Sequence, residues 1–92
     1  MSDEAALTAL RQLAFFHHDS ACVRFWVDVD GELVGASVGR DNLHYRFNPR
    51  SVGDDPLSTY LTHAADIDAA VRRRLVKGST PPVMLREADL LP

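Results

Sequence analysis

The chain has 92 residues and a net charge of -3, and 46% of its residues are hydrophobic. This length predicts one domain, residues 1–92, with a modest core. The hydrophobic content is typical of a folded protein rather than a disordered one, and the acidic balance argues against a general polyanion binder. The single Cys22 excludes an internal disulfide and suits a reducing compartment. An acidic start and the lack of a 20-residue apolar run complete the prediction of a cytoplasmic protein that does not enter a membrane.

An N-terminal helix is predicted over residues 3–16. Ser2 is a suitable N-cap, and acidic residues follow it where the helix dipole favours them. Apolar residues recur at helical spacing along this segment, namely Ala6, Leu7, Leu10, Leu13 and Ala14. Residues 17–20 then form a polar loop, so residues 1–20 are a helix and a link that precede an α+β core at residues 21–90.

Residues 22–38 predict a β-hairpin that turns at Asp30-Gly31, with strands at 22–29 and 32–38. These two residue types suit a two-residue type I′ turn, because both central residues need a positive φ. Since side chains alternate along a strand, this register gathers one apolar face. That face contains Val23, Phe25, Val27, Val34, Ala36 and Val38.

The reverse face of the hairpin carries Trp26 and Leu33, with Arg24 beside the tryptophan. The register places Trp26 opposite Gly35, and an aromatic ring often covers a strand glycine. An exposed apolar patch also marks contact with another protein or a second copy of the chain. The sequence therefore leaves two alternatives open: the N-terminal helix covers Trp26 and Leu33, or a partner does so.

Residues 40–47 fit a strand and a helix equally well. Leu43, Tyr45 and Phe47 alternate with polar residues as in a strand, whereas Leu43 and Phe47 are also four residues apart, as on one helix face. The Asn48-Pro49 pair ends either element, because a residue before proline avoids the α region.

A long helix is predicted over residues 56–77. Asp55 is a suitable N-cap, Pro56 fits the first helical position and Gly78 is the expected stop. Its apolar stripe is expected to pack against the apolar face of the hairpin. The stripe contains Leu57, Tyr60, Leu61, Ala64, Ile67, Val71 and Leu75. A short strand near 83–86 completes a small antiparallel sheet, so the predicted fold class is α+β.

A basic cluster near the end of this helix contains Arg72, Arg73, Arg74 and Lys77. One interpretation is an anion or nucleic-acid contact. The other is a solvated helix end, whose cations match the helix dipole. Successive residues point about 100° apart around a helix, so the arginines do not form one flat patch, and the second interpretation is favoured. Asp68 is expected to pair with Arg72, four residues further on.

The histidines His17, His18, His44 and His63 raise the possibility of a metal site, but no His-x3-His or Cys-x2-Cys spacing accompanies them. Zinc sites usually need three or four such ligands. Cys22 with a histidine would form a nucleophile pair, although a cysteine at a strand start is typically a packing residue. We therefore predict no catalytic, cofactor-binding or metal-ligating residue, and no cofactor.

Several short segments of the core follow one another in a distinctive order: Val23-Arg24-Phe25, Val29-Asp30-Gly31-Glu32, Gly39-Arg40-Asp41-Asn42-Leu43, Asp55-Pro56-Leu57, Val83-Met84-Leu85 and Ala88-Asp89-Leu90. This order, over residues 22–90, resembles that of the small bacterial proteins grouped as domain of unknown function family 1488. The resemblance implies a compact α+β domain in which residues 40–47 are helical. It implies no activity.

The sequence thus predicts a non-enzymatic interaction module that binds a protein partner or forms a homodimer. Trp26, Leu33 and Arg24 are the candidate interface residues. One alternative is a nucleic-acid-binding regulator that uses the basic cluster. The other alternative is a small metal-binding protein or enzyme.

Overall fold

The computed structural model describes residues 3–91, which form four α-helices, a four-stranded sheet and one 3-10 turn. The elements in chain order are α1 (Asp3–Arg11), β1 (Phe15–His17), β2 (Cys22–Val29), β3 (Glu32–Gly39), α2 (Arg40–Phe47), α3 (Pro56–Thr62), α4 (Ala64–Val76), β4 (Val83–Leu85) and the 3-10 turn (Glu87–Leu90). The predicted α+β class is confirmed. Ser2, the predicted N-cap of α1, lies outside the described residues. No helix within residues 3–91 is long and apolar enough to cross a bilayer.

The β2–β3 hairpin has the predicted register, in which Val29 pairs with Glu32 across the turn. Asp30 and Gly31 both have positive φ, at 53° and 87°, as a type I′ turn requires. The Asp28 side chain accepts a hydrogen bond from the Gly31 N–H at 2.9 Å, which fixes the turn further. The alternation of side chains then places the apolar residues of both strands on one face of the sheet.

The sheet is mixed, so the prediction of a purely antiparallel sheet was wrong. Its order is β1-β2-β3-β4, and β4 runs parallel to β3, with Ala36 beside Val83 and Val38 beside Leu85. Three helices separate these two strands and return the chain to the end of the sheet where β3 began. A crossover of this length gives a parallel pair, whereas a tight turn would give an antiparallel one.

The N-terminal helix is shorter than predicted and ends at Arg11. Its last turn tightens, because the amides of Leu13 and Ala14 bond to carbonyls only three residues before them. Phe15–His17 then forms β1, which pairs antiparallel with the start of β2. Most of the predicted apolar stripe is not buried: Leu13 is 57% exposed, and Ala14 is the one member of the stripe that joins the core among the described residues.

The predicted helix at residues 56–77 is two helices that break at His63. This residue lies outside helical geometry, at φ -113° and ψ 21°. Its ring stacks on the ring of Phe47 at 3.9 Å, nearly parallel, and so the break lets α3 pack against α2. The predicted start at Asp55 and Pro56 is confirmed.

Residues 40–47 form helix α2, which resolves the ambiguity of the sequence. Leu43 is fully buried, whereas Tyr45 is 66% exposed. A strand would have placed both side chains on the same face, so the helix separates a core residue from a surface residue.

The core lies between one face of the sheet and the helices. Phe25 of β2 and Tyr60 of α3 are its largest buried side chains, and their ring centroids are 4.7 Å apart. The strands contribute residues that all share this face, namely Val23, Phe25, Val27, Val34, Ala36, Val38, Val83 and Leu85. The other face of the sheet is therefore left without a helical layer among the described residues.

Candidate protein interface

The uncovered face of the sheet gathers residues from all four strands. The strand pairing sets Phe15, Arg24, Ser37 and Met84 in one row across it, followed by rows formed by Trp26 with Gly35 and by Asp28 with Leu33. Side chains directly opposite one another point to the same side of a sheet. We name this surface, formed by these eight residues, the open face.

Large apolar side chains on the open face are exposed to solvent. Met84 is 67% exposed, Leu33 59% and Phe15 41%, while Trp26 is half-buried. Contiguous exposed apolar residues of this kind mark contact surfaces more often than scattered single residues do. The sequence had identified Trp26 and Leu33, but it missed Phe15 and Met84.

Helix α1 does not cover the open face. Arg11, at its end, forms an ion pair with Asp68 of α4, and Ala14 joins the core on the opposite side of the sheet. The first of the two alternatives left open by the sequence is therefore removed for residues 3–91. Either a partner covers the open face, or its apolar residues are exposed to solvent.

Trp26 lies over Gly35, as the sequence predicted. A methyl group added at Gly35 would lie 3.8 Å from Trp26 Nε1, and the Phe15 ring is 6.2 Å from the indole. Beside this group is a shallow hollow of about 270 Å³, whose lining includes Trp26, Ser37 and Met84. The indole thus covers the glycine and still presents its outer surface to solvent.

Two opposite charges flank Trp26 along β2. Arg24 and Asp28 are both exposed on the open face, two residues before and after the tryptophan. Neither of them forms an ion pair within residues 3–91. The open face therefore carries an apolar centre with an unpaired positive charge at one end and an unpaired negative charge at the other.

The predicted basic cluster contacts the edges of the sheet. Arg72 Nη2 donates to the carbonyl of Asp28 at 3.2 Å, on the edge of β2 beyond the end of β1. Arg74 Nη1 donates to the carbonyl of Met84 at 3.1 Å, on edge strand β4. These bonds occupy carbonyl groups that would otherwise be available to an added strand.

The rest of the cluster points in several directions, as the helix geometry predicts. Arg73 donates to the Asp89 carbonyl, Arg74 also pairs with the Asp89 carboxylate at 2.7 Å, and Lys77 is exposed beyond α4. The expected pair of Asp68 with Arg72 is not formed as an ion pair, since Asp68 contacts Arg11. Each of the three arginines therefore donates to an acceptor of the same chain. Nucleic-acid contact by this cluster stays a prediction.

A hydrogen-bonded chain joins His17, Ser20 and Cys22 at the β1–β2 turn. His17 Nδ1 lies 2.7 Å from Ser20 Oγ, which lies 2.9 Å from Cys22 Sγ. Such a chain can carry a proton from a thiol to an imidazole through a hydroxyl. The sequence missed it because residues 15–17 were not predicted as a strand, and only their pairing with β2 sets His17 beside Cys22.

The other histidines have structural contacts. His44 Nδ1 lies 2.8 Å from Asp54 Oδ1, and this bond ties the loop after α2 back to that helix. Burial alone would raise the pKa of Asp54, but its hydrogen bonds with His44, Asn48 and the backbone, together with the charge of His44, outweigh burial and hold that pKa below the ordinary value. His63 stacks on Phe47. Within residues 3–91, no group of three or more His, Cys, Asp or Glu side chains could hold a metal ion.

Comparison with known proteins adds no assignment. No protein-family model, no curated protein and no solved structure matches this chain.

Proposed function

We propose that this chain is a non-enzymatic protein-interaction module that acts through the open face. The observation that carries the proposal is an uncovered sheet face with Phe15, Trp26, Leu33 and Met84 on it. A solvated face of a sheet normally alternates towards polar residues, because only the other face packs on the core. Four large apolar side chains on the solvent side are expected where that face is used for contact.

Contacts at the edges of the sheet also support this proposal, because they favour association through the open face over addition of a strand at an edge. Arg72 and Arg74 occupy edge carbonyls of β2 and β4, so an added strand would have to displace them. The same bonds give Arg72 and Arg74 a structural role, which leaves the nucleic-acid alternative with less support than contact through the open face.

We also propose that the chain is a member of the small bacterial proteins grouped as domain of unknown function family 1488. The helix at residues 40–47, which that resemblance implies, supports the assignment. Membership would add no activity that competes with an interaction role.

In-cell photo-crosslinking tests whether the open face is a contact surface. A photoreactive residue in place of Leu33 is expected to give a discrete crosslinked product, which mass spectrometry identifies. The control is the same residue in place of Val52, which is 100% exposed in the loop after α2 and lies off the sheet. No discrete product from position 33, or equal products from both positions, would contradict the proposal.

A further inference from the structure

We infer that the open face binds a second copy of this chain, and that the two copies are related by a two-fold axis that crosses the strands at Trp26. This inference rests on the proposed interaction role and names its partner. It is carried by the order of charges on the open face and by the exposed apolar residues that lie between and beside them.

The charges on β2 are self-complementary under such an axis. Arg24, Trp26 and Asp28 follow one another at intervals of two residues on the same face of one strand. A two-fold axis across the strands reverses the strand direction and keeps Trp26 above Trp26 of the other copy. It thereby sets Arg24 of each copy against Asp28 of the other, which forms two equivalent pairs, as an isologous interface requires.

These charges are available for such pairs. Both side chains are exposed, and neither has an ion pair within residues 3–91. The Asp28 carboxylate does accept the Gly31 N–H, but a carboxylate has further lone pairs that remain able to accept from a guanidinium. The two pairs would lie at the rim of the apolar centre, where charge pairs fix orientation more than they add affinity.

The apolar centre fits face-to-face packing. The indole of Trp26 lies over Gly35, so the tryptophan row is low in the middle of the face. Two packed sheets are about 10 Å apart, which leaves room for two such indoles to stack between them. Leu33 and Met84 then extend the apolar contact to either side of the tryptophans.

The area of the face predicts a weak, reversible dimer. Two strands of eight residues and two of three residues, at about 3.3 Å per residue and about 4.8 Å between strands, give a face of about 350 Å² in each copy. The total of about 700 Å² is smaller than a standard specific interface and belongs with weak, transient contacts. We therefore expect dissociation in the high micromolar range, observable by dilution.

Charge-reversal variants test the geometry by mixing. Arg24→Asp and Asp28→Arg each place like charges at both pair positions of a homodimer, so each variant alone is expected to dissociate about tenfold more easily than the wild type. Mixed in equal amounts, they restore two opposite-charge pairs and are expected to form a heterodimer of wild-type affinity. Sedimentation velocity over a dilution series measures all three equilibria.

Two controls keep this result specific. Arg50→Asp reverses a charge in the exposed loop after α2, off the open face, and is expected to leave the dimer unchanged. Asp28→Asn keeps an acceptor for the Gly31 N–H but loses the charge. Mixed with Arg24→Asp, it restores one opposite-charge pair instead of two, so it is expected to rescue dimerisation only in part. Far-UV circular dichroism shows whether each variant is folded before it is compared.

The outcomes separate this inference from the proposed function. A wild-type chain that stays monomeric at several hundred micromolar, or folded charge variants that fail to rescue one another, overturns the two-fold dimer. If position 33 crosslinks to a different protein in the same cells, the interaction role stands and only the second copy is excluded. If position 33 gives no product, both are overturned.

Discussion

The ion pair between Arg11 and Asp68 predicts a strongly unequal response to removal of its two members. Asp68 is 4% exposed, and its Oδ1 has no hydrogen-bond partner within the described residues. Arg11 Nη2 lies 3.6 Å from Asp68 Oδ2, and the side chain of Arg11 is 27% exposed against 6% for that of Asp68. The acid is trapped in the core. Arg11 Nε is also buried without a partner among the described residues, but the rest of that side chain reaches solvent.

The two substitutions Arg11→Met and Asp68→Asn exploit this difference. Removal of one partner of a buried pair costs about 3–5 kcal/mol, because a buried charge is left uncompensated. The loose contact and the partial exposure of Arg11 reduce the expected loss for Arg11→Met to about 2–3 kcal/mol at neutral pH. Asp68→Asn leaves an arginine that can extend its head into water, so we expect a gain of up to about 1 kcal/mol.

The pH dependence of stability follows from the same burial. Burial raises the pKa of Asp68 above the ordinary value of 3.8, and the nearby Arg11 only partly opposes the rise. Between the two pKa values the folded chain holds more protons than the unfolded chain, so stability falls as pH rises from 3.8 through the folded pKa of Asp68. The stability of the Asp68→Asn variant should not fall with pH in this way. The difference in its free energy of unfolding from that of wild type should therefore grow with pH and then level off.

Urea unfolding followed by far-UV circular dichroism, at acidic and neutral pH, measures these differences. Arg40→Met is the matched control, because its contact with Asp41 is on the surface, with 56% and 84% of the two side chains exposed. It is expected to cost less than about 1 kcal/mol. The reasoning is refuted if Asp68→Asn loses more stability at neutral pH than Arg11→Met does.

Three further outcomes are expected in the same unfolding assay. Phe25→Ala should cost about 3–5 kcal/mol, because the ring is 1% exposed at the centre of the core, and a loss under about 1 kcal/mol would contradict that placement. Gly31→Ala should lower the free energy of unfolding by about 1 kcal/mol, because this residue has a φ of 87°. Gly35→Ala should be neutral or stabilising, because the added methyl group would lie 3.8 Å from its nearest neighbour, Trp26 Nε1. The reverse order of the two losses would refute the turn geometry. Burial alone would raise the pKa of Asp89, but hydrogen bonds from the Arg86 backbone N–H and from Arg74 lower it. The ionised carboxylate therefore stabilises the folded chain above pH 3.8, and this contribution is lost as pH falls through the folded pKa. Asp89→Asn should therefore cost about 1.5–3 kcal/mol at neutral pH and lose little more in acid, and an unchanged acid transition would contradict this.

The hairpin could be predicted in detail because its determinants are local. The Asp30-Gly31 turn fixes the register, and a shift by one residue would have moved Val27 and its neighbours to the solvent side. The same locality holds at Asp55 and Pro56, whose residue types mark a helix start. Trp26 could be placed opposite Gly35 for the same reason, and so part of the candidate interface was visible in the sequence.

What the sequence could not predict depends on contacts between distant segments. The break at His63 goes with stacking on Phe47, sixteen residues earlier in the chain, and helical periodicity carries no sign of it. Strand β1 exists because Phe15–His17 finds an unpaired edge of β2, although its aromatic run before a polar turn was a signal that favoured a hairpin. Met84 joins the open face only because β4 is added beside β3.

The arginines of α4 and the open face are two parts of one arrangement. A short sheet of this kind exposes two edges and one face, and each is a route to association. Arg72 and Arg74 reach from the core side of the sheet to carbonyls on its two edges, which disfavours open-ended growth by strand addition. The face keeps its apolar residues, with Arg24 and Asp28 as the charges that would set orientation. A sheet with one carbonyl occupied at each side and one exposed apolar face favours an association that closes after two copies, since each copy then has no further apolar face to offer.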